Sequence, residues 1–243
     1  MPEEDNRFRF IGNRQDQNHE SLVDQLLRHA DEAMLVSPYL FPDFSWWIKS
    51  LDLVNLKRLT LVTTLAPRGD DQLNKPQSLL SLHEALNDVA PHIELVIQID
   101  NALHGKVYLF SAEGTITDGL VTSANLTRMG LRNNHEWGIH ITNRPMLASI
   151  WGEVSASVEY PYISLDLLRK LELFADTYRR NNEDFKPAPD VDASLLNALR
   201  NAPKLSTLEQ EIDWTEVRHV FLKPIGTKDE PVLKEHSTSA LAG

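Results

Sequence analysis

Short β-prone apolar runs, separated by stretches of helical periodicity, set the limits on what this chain can become. Residues 33–37, 59–65, 93–99 and 103–110 are each a strand's length and rich in Val, Ile, Leu or Phe. Between them the spacing changes. Leu22, Val23, Leu26, Leu27, Ala30 and Ala33 recur as one face of a helix, and so do Leu79, Leu80, Leu82, Leu86 and Val89, with a stop near Pro91. Residues 41–54, with Trp46, Trp47, Ile48, Leu51 and Val54, predict another helix whose aromatic side chains fit either the core, the favoured role, or a base-stacking surface. Strands alternating with helices predict an α/β fold, a mixed β-sheet flanked by helices on both faces. Residues 7–11 alternate charged and apolar side chains, as an edge strand does. The runs 93–99 and 103–110 are too close for a crossover helix and are expected to be antiparallel neighbours. Glu113-Gly114 then turns the chain into a strand over 115–122, followed by a short helix over 126–131 and a closing strand over 136–142.

Beyond Pro145 the pattern is helical. Residues 146–158 form one predicted helix and 164–178 a stronger one, with Leu165, Leu168, Leu171, Phe174 and Tyr178 in a stripe and Ser164 at the N-cap. Lys186-Pro187-Ala188-Pro189-Asp190 reads as a stiff linker, followed by short helical patterns, a candidate strand over 217–222 and a polar tail from Thr227. The expected organisation is a sheet domain over 1–160 and a mainly helical C-terminal extension over 161–243. With 243 residues, 42% of them hydrophobic, both can be built.

Composition excludes several kinds of chemistry. There is no cysteine, hence no disulfide, no thiolate nucleophile and no Cys-type zinc site. No run of eighteen apolar residues occurs, and the acidic start Met1-Pro2-Glu3-Glu4-Asp5 is unlike an export signal, so a cytoplasmic protein without membrane contact is expected. The net charge of -11 argues against coating nucleic acid through a broad basic surface. It leaves room for a local positive site, and Lys106, Arg128, Arg132 and Arg144 lie close together in sequence.

The chemistry concentrates in three separated elements. In His104-Gly105-Lys106 the two phosphate-seeking side chains are two apart and share a face if the segment is extended within a buried strand. The second is Thr122-Ser123-Ala124-Asn125-Leu126-Thr127, a small-residue turn with a Ser-x-Asn core. The third is Asn133-Asn134-His135-Glu136-Trp137-Gly138, an Asn-x-x-Glu-x-Gly run that enters the last strand. His135, Glu136 and His140 can also be read as a metal cluster, but histidines five apart on a strand face opposite sides, so no metal is expected.

Taken in this order, the three elements resemble the phospholipase D superfamily, also called the HKD family, over about residues 7–160. Ser37-Pro38-Tyr39 after the second strand is similar to a loop that sits near that family's catalytic pocket. One position departs: the family's Asp, separated from the Lys by four residues, is Ser111 here. The resemblance implies a phospholipase D-like fold and cofactor-free phosphodiester chemistry. A histidine attacks phosphorus, a second protonates the leaving oxygen, and lysines and asparagines hold the equatorial oxygens. His104 then serves as nucleophile or general acid, Lys106 and Asn125 grip the phosphate, Glu136 orients a histidine ring, and Ser123 adds a hydroxyl contact. That chemistry uses two copies of the motif, whereas this chain carries one His-x-Lys. A homodimer sharing one active site supplies the second through its twofold axis. The expected activity is a nuclease on DNA or RNA, in the manner of bacterial restriction or phage-defence enzymes, alone or within a larger defence complex. The alternatives are a phospholipase D-type lipid phosphodiesterase and a non-catalytic dimeric adaptor with a degenerate site.

Overall fold

The apolar runs pair into one sheet. The structure, a computed structural model, describes residues 7–14, 18–66 and 71–181. Seven strands, β1 (Phe8–Gly12), β2 (Glu32–Val36), β3 (Arg58–Thr63), β4 (Glu94–Ile99), β5 (Val107–Ala112), β6 (Thr115–Thr122) and β7 (Trp137–Ile141), lie in the order β1-β7-β6-β5-β2-β3-β4. β2, β3 and β4 are parallel to one another, and the remaining pairings are antiparallel. The sheet is therefore mixed, as the alternation of periods predicts. β1 is an edge strand, as its polar alternation suggested.

Helices cover the two faces unequally. Side chains of α1 (His19–His29), α2 (Ser45–Ser50), α3 (Asp71–Val89) and α5 (Leu165–Asn181) join one large core built around Leu35, Leu61, Tyr108, Phe110 and Leu120. On the other face α4 (Arg144–Ser157) sets Leu147 and Ile150 against Met34, Val62, Leu109 and Ile141. Ser164 does cap α5, its Oγ accepting the Leu167 N–H at 3.2 Å. The linker at Lys186–Asp190, the candidate strand and the polar tail lie outside the described residues. Among those described, no helix is long and apolar enough to cross a membrane.

Three sequence expectations need correction. β4 and β5 are antiparallel in direction but not neighbours, because β3 and β2 stand between them. The connection of seven residues, 100–106, can run more than 20 Å when extended, whereas the three interstrand spacings from β4 to β5 need about 14 Å. Closeness in sequence therefore did not force closeness in the sheet. The helix expected over 41–54 shrinks to Ser45–Ser50. Pro42 disfavours helical geometry at Phe41, and Phe41 instead stacks on Trp47 with centroids 5.3 Å apart. Trp47 is core, as expected, but Trp46 is 49% exposed. α3, in turn, begins at Asp71 rather than near Ser78 and carries Pro76 inside it.

The start of α1 carries two ionisable groups drawn away from water, one fully buried and one half-buried. Asn18 caps the helix, its Oδ1 accepting the Ser21 N–H at 2.9 Å. Directly after it, His19 is fully buried, and burial lowers its imidazole from the usual 6.5 to about 4. One turn on, Asp24 has a buried Oδ1 without a hydrogen-bond partner among the described residues, and burial, with Glu20 adding to it, pushes its carboxyl up to about 6.

These shifts act on stability in opposite directions. Between pH 6.5 and 4 the unfolded chain holds a proton on the histidine that the native chain lacks, so stability from His19 falls as pH falls. Between pH 3.8 and 6 native Asp24 holds a proton the unfolded chain lacks, so its contribution falls as pH rises. Asp24→Asn should therefore raise stability at pH 7 by about 1–3 kcal/mol. It should also expose an acid-side decline that the parent partly masks. Urea unfolding at pH 7, 5.5 and 4.5 measures both effects; a variant no more stable than the parent at pH 7 contradicts an unpaired buried carboxylate.

Candidate active site

The antiparallel pairing of β5 with β6 lays the first two chemical elements side by side. Val107 is opposite Val121, and the Thr122 N–H donates to Lys106 O at 3.1 Å. His104-Gly105-Lys106 thus runs along the start of the turn that holds Ser123 and Asn125. The strand itself begins at Val107, so His104 and Lys106 precede β5 rather than lying in a buried strand. His104 is exposed and Lys106 half-buried, with its Nζ donating to the His104 carbonyl at 3.0 Å.

Buried polar anchors fix the turn. Thr122 Oγ1 accepts the Ala124 N–H at 3.0 Å. The phenol of fully buried Tyr108 donates to Ala124 O at 2.8 Å, and Ser37 Oγ accepts the Leu126 N–H at 2.9 Å while donating to Tyr39 O. The Ser37-Pro38-Tyr39 loop therefore does reach the site, through Ser37. Beneath the turn, the five-residue π-helix Met129–Asn133 stands where a short helix was expected over 126–131. It presses Gly130 on the Asn125 backbone so closely that a Cβ there would lie 2.7 Å from Asn125 N. Only glycine permits that approach. Asn125 Oδ1 is buried and lacks a hydrogen-bond partner among the described residues, so the amide oxygen contributes little to holding the turn.

The third element meets the second through a carboxylate. Ser123 Oγ donates to Glu136 Oε2 and accepts the Trp137 N–H at 3.1 Å, while Asn134 Nδ2 donates to Glu136 Oε1 at 3.3 Å. β7 can approach β6 this closely because position 138 is glycine, where a Cβ would lie 2.9 Å from Thr122 Cβ. Ser123 and Glu136 are thus joined directly, and Lys106 and Asn125 are tied to the same turn by backbone. Among the described residues no hydrogen bond links Glu136 to His104; Glu136's charge acts on His19, whose proton affinity it raises against the larger effect of burial.

Arg132, Arg128, His135 and His140 are engaged elsewhere. Arg132 pairs with Glu20 at 3.3 Å, and the Arg128 guanidinium lies 5.4 Å from the Trp46 ring centre. His135 Nε2 accepts from Arg14 Nε at 2.8 Å, and His140 Nε2 meets Asp118 Oδ1 at 2.8 Å. Among the described residues no three His, Asp or Glu side chains gather as metal ligands would. Ser111, where the resemblance expects Asp, is buried beside the β5–β6 register shift.

Sequence reasoning missed His19 and Asn13. Asn13 Nδ2 donates to Gly130 O at 2.7 Å and Asn134 O at 3.0 Å, bracing both the π-helix and the approach to Glu136. His19 bridges Asn13 Oδ1 and Thr122 Oγ1. A signal for His19 exists: it lies three and four residues before Leu22 and Val23, on the apolar stripe of α1. Asn13 shows no such pattern.

Residues 16–157, more than half of the chain, match the family described as the NgoFVII restriction endonuclease N-terminal PLD domain. Similar solved structures include NucT from Helicobacter pylori, 13% identical, with a TM-score of 0.41 over 62% of this chain and 96% of that one. Another is the phospholipase D family member Nuc from Salmonella typhimurium, 16% identical, with a TM-score of 0.44 over 65% of this chain and 98% of that one. Among curated protein sequences none matches. The phospholipase D resemblance carried by His104, Lys106, Ser123, Asn125 and Glu136 is thus borne out at the level of family, and the chain belongs to that of the NgoFVII restriction endonuclease N-terminal PLD domain.

Proposed function

We propose that this chain is a metal-independent phosphodiesterase that cleaves nucleic acid, with an active site completed by a second copy of itself. The observation that carries the reading is the placement of a single exposed His104 and half-buried Lys106 beside the Ser123-x-Asn125 turn. A phosphodiester needs a nucleophile, an acid for its leaving oxygen and positive charge around the transition state. One chain supplies one histidine and one lysine of this kind.

In the proposed reaction, His104 of one copy attacks phosphorus and forms a P–N bond. The P–O bond to the leaving strand breaks, and His104 of the other copy gives that oxygen its proton. The second histidine then takes a proton from water, which attacks phosphorus and releases His104. Lys106 and Asn125 of both copies hold the non-bridging oxygens, with the lysines supplying the positive charge. Ser123 and Glu136 brace the turn between them. The setting that fits the family is restriction or phage defence, alone or within a larger complex.

An uncovered part of the sheet supports self-association. Val107, Val121, Ile139 and Phe10 are register partners across β5, β6, β7 and β1, so they form one row on one face. Val121, Ile139 and Phe10 are 40%, 39% and 51% exposed. α4 covers the same face only farther along, where Leu147 packs near Gly119 and Ile141. The row begins at Val107, next to Lys106, so a copy docked about a twofold axis here has its own His-x-Lys pair nearby.

Purified protein offered plasmid, single-stranded DNA, RNA and bis(p-nitrophenyl) phosphate should cleave phosphodiesters equally well in EDTA. Activity that disappears on chelation and returns with magnesium would overturn the metal-independent mechanism. Sedimentation at micromolar concentration should show a dimer; a monomer alone removes the shared site. His104→Ala should lower turnover by roughly four orders of magnitude while leaving substrate binding in place. A folded His104→Ala dimer that still turns over contradicts the assignment of the nucleophile.

A further inference from the structure

The contacts of His19 go beyond what burial of a polar ring requires. We infer that His19 is a positioning residue: as a neutral imidazole protonated on Nδ1, it accepts a hydrogen bond from the Thr122 hydroxyl on Nε2 and so sets the turn that carries Ser123 and Asn125.

The proton assignment follows from the partners. Asn13 Nδ2 donates to two carbonyls, Gly130 O and Asn134 O, which fixes the Asn13 amide with Oδ1 toward α1. That oxygen accepts the His19 backbone N–H at 3.2 Å and lies 2.6 Å from His19 Nδ1. An amide oxygen has no proton to give, so Nδ1 carries it. Burial keeps the ring neutral, which leaves a lone pair on Nε2, 2.7 Å from Thr122 Oγ1.

Thr122 has one proton and two acceptors within reach, His19 Nε2 and Trp137 O, the latter at 3.0 Å. Trp137 O already receives the Ser123 N–H at 2.9 Å, whereas a hydroxyl turned away from His19 would set an oxygen lone pair against that of Nε2 at 2.7 Å. The Thr122 hydroxyl therefore donates to His19 Nε2. With that orientation settled, a lone pair of Thr122 Oγ1 faces the Ala124 N–H and pins the turn one residue before Asn125. If the ring gains a proton, Nε2 becomes a donor and the hydroxyl must rotate to Trp137 O. Of the anchors described for this turn, Tyr108, Ser37 and Thr122, only Thr122 rests on a group with an ordinary pKa near neutrality.

The charged groups around this end of α1 are Glu136 on the approach to β7, Glu20 and Asp24 on α1 itself, and Arg132 on the π-helix, already paired with Glu20. Glu136 favours the charged ring but does not overcome burial. His19 touches no reacting atom, so its effect passes through Thr122.

The inference rests on the phosphodiesterase reading only for its kinetic arm. In protein labelled with 15N-histidine, long-range 1H–15N correlation should show His19 protonated on Nδ1 alone, unchanged from pH 8 to pH 5. An Nε2–H tautomer or a charged ring at pH 7 overturns the inference whether or not the chain is an enzyme. In the kinetic arm, His19→Gln and Thr122→Val should each lower kcat on bis(p-nitrophenyl) phosphate by roughly 10–100-fold with little change in KM. The double variant should be no worse than the weaker single one. Losses that multiply, or that only track the fraction folded in a thermal melt, mean a merely structural histidine.

Discussion

The Ser-x-Asn turn after β6 is held by hydrogen bonds from groups that have no water to fall back on, and the arrangement of the site depends on them. Tyr108 reaches Ala124 O from within β5, Ser37 receives the Leu126 N–H from the end of β2, and Thr122 is faced by His19 from the start of α1. Each donor or acceptor sits on a different element, so the sheet order decides whether they meet. β5 must lie between β6 and β2 for this to happen, and it does. A buried partner left alone costs about 1–3 kcal/mol, more than a typical hydrogen bond contributes. The turn is therefore rigid because leaving it is expensive several times over.

Rigidity on one side is matched by exposure on the other. His104 stands in solvent ahead of β5, and the half-buried Lys106 ammonium donates to the His104 carbonyl. On a chain of net charge -11, such a cation has to act over a short range, because charges beyond about 8 Å are largely screened at physiological salt. A second copy brought to the same place doubles the local positive charge without altering the acidic surface elsewhere. The uncovered row of Val121, Ile139 and Phe10 provides apolar area for that approach.

Much of this was legible in the sequence because period and spacing are local properties. The strands over 33–37, 59–65 and 115–122 and the cap at Ser164 follow from residue types alone. The α/β class follows from their alternation. What failed was non-local. The distance between residues 99 and 103 does not reveal that β3 and β2 intervene between β4 and β5, and helical spacing over 41–54 does not reveal that Phe41 prefers to stack on Trp47. The site followed the same division. His104, Lys106, Ser123, Asn125 and Glu136 were readable as residue types at characteristic spacing, and the Ser123–Glu136 bond links two of them. Asn13 and His19 were not read, since their meaning lies in contacts with residues 103 to 121 positions away.

The central claim is that each chain holds half of a phosphodiesterase site. Dimers carrying one wild-type and one His104→Ala chain, isolated through two different affinity tags, test it most directly. If one shared site needs a histidine from each copy, such mixed dimers fall to the activity of the His104→Ala homodimer. Mixed dimers that keep about half of the wild-type rate would show a complete site in every chain and contradict the account.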